Sequence, residues 1–216
     1  ASDVYKRQDA EEAVACPYAE GKTSIMQFPH LLLGVLALFL YVGVETIALA
    51  TATGYAKALE LPGDNYGFIP SIGMVVGYIC GATLIPKYLS QATAMKICAI
   101  IAIIGSALVA TMPAEISIYC IFFMALGCSL MWPALWPLAM ADLGKFTKAG
   151  SSLLTMAIAG GAVMPWVRGV VQDATSFQTS YWICVPCFLF ILYYGMIGSV
   201  SYTHLLAHET LRHLVC

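Results

Sequence analysis

Charge is what this chain has little of. Only 10% of its 216 residues are Asp, Glu, Lys or Arg, while 60% are hydrophobic and the mean hydropathy is +0.82; soluble domains carry about 25% charged residues. A water-facing surface cannot be built from that stock, so a soluble globular domain is excluded. The few lysines are scattered singly rather than clustered, so nothing suggests a nucleic-acid surface. The apolar body holds no phosphate-cradling glycine loop and no nucleophile turn or metal-ligand cluster. The chemistry is therefore expected to be recognition rather than catalysis, with no metal and no organic cofactor.

The two ends read differently from the middle. Asp3 to Gln8, DVYKRQ, can be encoded by GATGTGTATAAGAGACAG, and the third frame of its reverse complement, CTGTCTCTTATACACATC, reads VSYTH, which is Val200 to His204. Both ends resemble translated sequencing-library adaptors. Residues 1–8 and 200–216 are accordingly set aside from functional reasoning. With them goes the metal site that His204, His208, Glu209 and His213 would otherwise suggest by their helical spacing.

What the chain has in abundance is long apolar runs. Six are each long enough, at about 20 residues, to cross a hydrocarbon core of about 30 Å: Pro29 to Ala56, Tyr66 to Pro86, Ala94 to Met112, Ile116 to Ala141, Ser151 to Gln172 and Tyr181 to Gly198. The expected fold is an all-α membrane protein of six transmembrane helices. Short connections rich in Pro, Gly, Asp and Asn join them. Lys22, Lys87, Lys96, Lys145 and Lys148 fall on one side, whereas Glu60, Asp64, Glu115 and Asp173 fall on the other, with only Lys57 and Arg168 near helix ends against the trend. Positive residues stay cytoplasmic, so both native ends are expected to face the cytoplasm.

A three-helix repeat shows in the order of unusual residues. Runs three and six carry no ionisable residue in their interiors, as outer helices would. Runs one and four carry the polar oddities, Glu45 and the Trp132-Pro133 and Trp136-Pro137 pairs. Runs two and five carry the small residues, Gly73, Gly77 and Gly81 at spacing four and the pair Gly160-Gly161, which allow helix backbones to approach closely. Repeats of three helices with interrupted inner members mark secondary-transporter bundles.

Glu45 lies 16 residues into the first run, near the bilayer centre, where a lipid-exposed carboxylate is costly, so it should face the bundle interior or a watery cavity. It reads as a substrate acceptor or proton carrier, or else as a structural carboxyl bonded to a neighbouring helix. Tyr41, one turn earlier, shares its face. Trp132 and Trp136 are also four apart, each followed by a proline that removes a backbone donor and kinks a helix. An indole there suits the apolar face of a sugar ring, its N–H donating to a hydroxyl; core packing or an interfacial belt is the alternative. Ser152 and Thr155 are further hydrogen-bonding candidates, for a ligand or a neighbouring helix. Gly160-Gly161 with Pro165 reads either as a flexible point or as a close contact, and Arg168 is placed where it can snorkel to the interface.

Cys80, Cys98, Cys120 and Cys128 stand singly in apolar runs and read as small hydrophobes. Cys184-Val-Pro-Cys187 has the spacing of a thiol redox pair, which keeps a membrane redox protein as a rival reading, but it sits in an outer helix with no acidic partner, so packing is the expected role.

GVLALFLYVGVET (from Gly34), MWPALWPLAMADLGKFTKAGSSLLTMAIAGGAVMP (from Met131) and the YW…PCFLFILYYG ending (from Tyr181) resemble the second half of the major facilitator superfamily, within it the fucose and glucose/galactose:proton symporter group. LGKFTKAGSS, at Leu143 to Ser152, is the most specific stretch. The resemblance implies the C-terminal six-helix half, residues 28–199, of a twelve-helix fold built from inverted three-helix repeats. Residues 9–27 would be the end of the cytoplasmic linker joining the halves, expected to be disordered. It further implies a bacterial inner-membrane symporter for a hexose or 6-deoxyhexose with the proton as coupling ion, alternating access and a partner half of six helices not in this chain. Tyr41, Glu45 and the segment around Trp132 would line the C-terminal wall of its sugar cavity; with Trp136 and Thr155 from the residue reading they make the substrate-binding candidates, and a solute other than sugar remains an alternative. Glu45 stands where fucose permease has a neutral amide, and Arg168 where an apolar residue is usual.

Overall fold

The computed structural model describes residues 21–62, 65–85 and 88–196. Both suspected adaptor stretches lie outside the described residues, as do linker residues 9–20, Asp64, Lys87 and the last residues expected of the sixth run. Every regular element among the described residues is helical.

In chain order the elements are α1 (Pro29–Ala50), α2 (Ala52–Ala58), α3 (Phe68–Leu84), α4 (Gln91–Thr111), α5 (Ala114–Cys128), α6 (Met131–Met140), α7 (Thr147–Ala157), α8 (Gly160–Ala174) and α9 (Thr179–Met196, its first five residues a 3-10 turn). Five stretches are long and apolar enough to cross a membrane: α1, α4, α5 with α6, α7 with α8, and α9. The second apolar run gives a shorter helix, α3, of 17 residues, about 25 Å at 1.5 Å per residue. Large apolar side chains such as Phe68, Ile72, Ile79, Val163 and Trp166 are exposed, a surface suited to lipid or another helix rather than to water.

Local chemistry explains where these helices start. Ser24 caps a 3-10 turn at Ile25–Gln27 inside the linker region, its Oγ accepting the Met26 N–H. Pro29 then opens α1 at its first position, where the missing N–H costs nothing. Ser90 caps α4 by accepting the Thr93 N–H at 3.2 Å. Glu115, in the first turn of α5, faces the positive end of the helix dipole.

Three of the long runs are broken rather than continuous. The first, expected to run unbroken to Ala56, bends at Thr51. There the Oγ1 of Thr51 bonds back to the Ile47 carbonyl at 2.5 Å and meets the Tyr181 hydroxyl at 2.6 Å; such back-bonding bends helices. The fourth breaks at Ser129-Leu130, between α5 and α6, and not at the Trp-Pro pairs. Pro133 has no N–H for the Ser129 carbonyl, so the interruption falls four residues upstream and Pro133 settles in the first turn of α6. The fifth breaks between Ala157 and Gly160.

Packing reproduces the three-helix repeat. α8 of the fifth stretch lies on α1, and α3 of the second lies on α5 of the fourth, so exchanging stretches one to three with four to six maps one contact onto the other. The glycines sit at these contacts. A Cβ on Gly73 would stand 2.5 Å from the Phe122 carbonyl oxygen, one on Gly77 would strike Ser129 Oγ, and one on Gly160 would strike the Phe39 carbonyl. Gly160 is thus a close-contact residue at a helix break. Similarly, α4 packs along α5, and α9 ties to α1 where the Tyr194 hydroxyl donates to the His30 carbonyl at 3.1 Å and Tyr181 meets Thr51.

Candidate functional site

Tyr41 and Glu45 occupy one face of α1, and the Tyr41 Oη lies 2.7 Å from Glu45 Oε1. The same Oη lies 3.0 Å from the carbonyl oxygen of Cys128, the last residue of α5 before its break. Tyr41 is fully buried, whereas Glu45 is half-buried. The phenol therefore bridges the carboxyl of one inner helix to the buried C-terminal backbone of the other.

The indoles complete this cluster. Trp132 lies 6.2 Å from the Tyr41 ring, and Trp132 and Trp136 stack with centroids 5.9 Å apart at an interplanar angle of 24°. Both indoles are half-buried against the core. Their helix keeps its shape despite two prolines because a side chain replaces a lost backbone bond. Pro137 cannot donate to the Pro133 carbonyl, and Gln91 Nε2, from the first turn of α4, donates to that carbonyl instead.

Four of the five substrate-binding candidates, Tyr41, Glu45, Trp132 and Trp136, thus come together. Thr155 does not join them: it is exposed on α7 and its hydroxyl bonds to the Ser151 carbonyl of its own helix. Ser152 is likewise exposed and bonded to the Lys148 carbonyl. Two members of the cluster were not anticipated. Tyr78 of α3 lies within electrostatic reach of Glu45, and its position directly after Gly77 was the available signal. The Cys128 carbonyl is main chain, signalled only indirectly by the downstream Pro133.

Arg168 corrects the snorkelling expectation. It is 5% exposed, donates to Ser180 Oγ and Gln172 Oε1 at 3.0 Å each, and packs its guanidinium over the rings of Phe177 and Tyr181 at 4.5 and 5.1 Å. The turn before α9 offers the Phe177 ring and the first turn of α9 offers Tyr181 and the Ser180 hydroxyl, so the cation is held in the protein, with its Nε lacking an acceptor. Cys184 and Cys187 are buried free thiols, the second bonded to the Ile183 carbonyl. Among the described residues no group of three His, Cys, Asp or Glu is placed to hold a metal ion.

The arrangement offers a carboxyl, a phenol and two stacked indoles from the two inner apolar stretches. Such groups have the chemistry to meet a polyhydroxylated ring, a carboxyl for its hydroxyl edge and an indole for its apolar face.

No protein-family model matches the chain. Over 204 residues it is 28% identical to a glucose/galactose transporter of Brucella abortus, covering 92% of this chain and 49% of that protein. Over 193 residues it is 28% identical to an L-fucose-proton symporter of Escherichia coli K12, covering 87% of this chain and 44% of that protein. The chain spans about half the length of these curated relatives. A crystal structure of a major facilitator superfamily transporter, FucP, in the outward conformation matches 79% of this chain and 42% of its own, with a TM-score of 0.73 at 26% identity.

Proposed function

Taking the chain as a segment of a major facilitator superfamily transporter of the fucose permease-like group, we propose that it forms the C-terminal half of a bacterial inner-membrane sugar:proton symporter. The half comprises residues 28–199, crosses the bilayer six times and keeps its native ends cytoplasmic. A second six-helix half faces it, and a hexose or 6-deoxyhexose binds near the midplane between the two. Rocking of one half against the other then alternates access to the sugar.

The single observation carrying this reading is the cluster of Tyr41, Glu45, Trp132 and Trp136 within the two inner stretches. An ionisable carboxyl within an apolar span is costly to maintain without a function. The carboxyl meets the sugar's hydroxyls, the buried phenol of Tyr41 holds that carboxyl in place, and the indole pair supports the ring. Thr155, on the fifth stretch and exposed within this half, would reach the sugar only from the face turned toward the missing partner.

The test uses the full transporter. Trp132→Ala should weaken hexose binding about 10-fold, equivalent to about 1.4 kcal/mol, and Glu45→Gln should abolish concentrative uptake of labelled sugar. Normal uptake and affinity in both variants would overturn the assignment.

A further inference from the structure

We infer that Glu45 is a proton-binding site of this half, carrying its proton as a neutral carboxylic acid that donates to Tyr41, which in turn donates to the Cys128 carbonyl. The inference deepens the symporter reading and rests on it only for the purpose the proton serves.

The argument is a count of hydrogens. A phenol has one O–H and therefore donates once. Tyr41 Oη is at hydrogen-bond distance from two oxygens, Glu45 Oε1 at 2.7 Å and the Cys128 carbonyl at 3.0 Å. A carbonyl oxygen accepts only, so the bond to Cys128 must use the tyrosine's proton. The bond to Glu45 then needs a hydrogen from the carboxyl, which only the protonated acid possesses. An ionised Glu45 would leave two acceptors, its own Oε1 and the Cys128 carbonyl, competing for one hydrogen beside the fully buried Tyr41 and Cys128, where an unmet acceptor is costly.

The surroundings favour the neutral form. The other titratable groups that face Glu45 are Tyr78 from α3 and Cys128 from α5, neither of them a cation. α8 meets α1 near this level through Gly160, Gly161 and Met164, and its Arg168 is engaged by Ser180 and Gln172. α7 carries one charge, Lys148, in the first turn of a helix that reaches α1 near Leu31, which is 14 residues or about 21 Å along the helix from Glu45. α6 presents Trp132 and no ionisable group.

Loss of the proton reverses the chain of bonds. The carboxyl proton passes to water, and Tyr41 keeps its own proton but turns it from the Cys128 carbonyl to the new carboxylate. The end of α5 is then released from α1 at the break that leads into the tryptophan-bearing α6. Protonation of Glu45 and the position of the indoles are coupled through one hydroxyl.

Infrared difference spectroscopy on the full transporter tests this directly. The carboxylic C=O stretch of the wild type at neutral pH should contain a band that is lost in Glu45→Gln and shifted in Tyr41→Phe, because the acid has lost its acceptor. Should Glu45→Gln fail to fold, the Tyr41→Phe shift and the disappearance of the same band as pH is raised decide the matter in its place. Identical carboxyl spectra in wild type and both variants would overturn the inference, as would a Glu45 absorption that is carboxylate at neutral pH. Hexose titration of the same wild-type sample separates the two readings: the Glu45 band present without hexose binding upholds the proton site and refutes the sugar assignment.

Discussion

Replacing Gly160 and Gly169 by alanine, one at a time, adds the same methyl group to the same helix at two places with opposite consequences. At Gly160 the new Cβ would strike the main chain of Phe39, whose carbonyl carbon lies at 2.7 Å and Cα at 3.1 Å; ordinary carbon contacts are about 3.5–4.0 Å. Backbone cannot rotate away as a side chain can, so α8 must retreat from α1 by roughly 1 Å. Forced overpacking of this kind costs about 1–3 kcal/mol, against a helix-propensity gain of up to about 1 kcal/mol for removing a glycine. The net expectation is a loss of about 1–2 kcal/mol. At Gly169 no atom lies within 4 Å of the added Cβ, so the propensity gain of about 0.5–1 kcal/mol stands alone. For a protein of this size 1 kcal/mol moves Tm by about 2–4 °C. Thermal unfolding of the detergent-solubilised protein should therefore show Gly160→Ala lowered by about 2–8 °C and Gly169→Ala raised slightly. Shifts of the same sign, or a neutral Gly160→Ala, would refute the close approach of α8 to α1.

Arg168 gives a second test through rank order. Arg168→Met removes two hydrogen bonds and two ring contacts but also a buried charge with an unmet Nε, so its net cost should stay within about 1 kcal/mol; Arg168→Lys keeps the buried charge without the planar fork and should be the less stable in denaturation of the two variants. Met less stable than Lys would refute this account of the site. The thiols give a third. With Cys184 and Cys187 buried and free, the double replacement by alanine should leave the proposed uptake by a full-length transporter unchanged, and its loss would restore the redox reading.

The helical class, the approximate limits of the apolar stretches and the pairing of Tyr41 with Glu45 are legible in the chain because they depend on local spacing. Hydropathy over about 20 residues reports a span, and residues four apart on a helix meet whatever surrounds them. Trp132 and Trp136 stack for the same reason. The breaks were less legible: prolines announce that a helix is interrupted, but the interruption at Ser129-Leu130 falls where the orphaned carbonyl lies, upstream of Pro133 itself. The bend at Thr51 depends on Tyr181, a residue 130 positions away.

By itself, then, the sequence determined that this is a bundle of apolar helices with polar groups buried on its inner members, since solvent preference and helical period are properties of short segments. Tertiary structure alone decided which distant groups share hydrogens and close contacts. It brought the Cys128 carbonyl to Tyr41, drew Arg168 inward onto Phe177 and Tyr181, set Gly160 against Phe39 and left Thr155 apart. Those outcomes follow from how α1 packs against α5, α6 and α8 and how α8 meets the start of α9, and a carbonyl or an aromatic face supplied across such a contact leaves no mark in the spacing of the residues it serves.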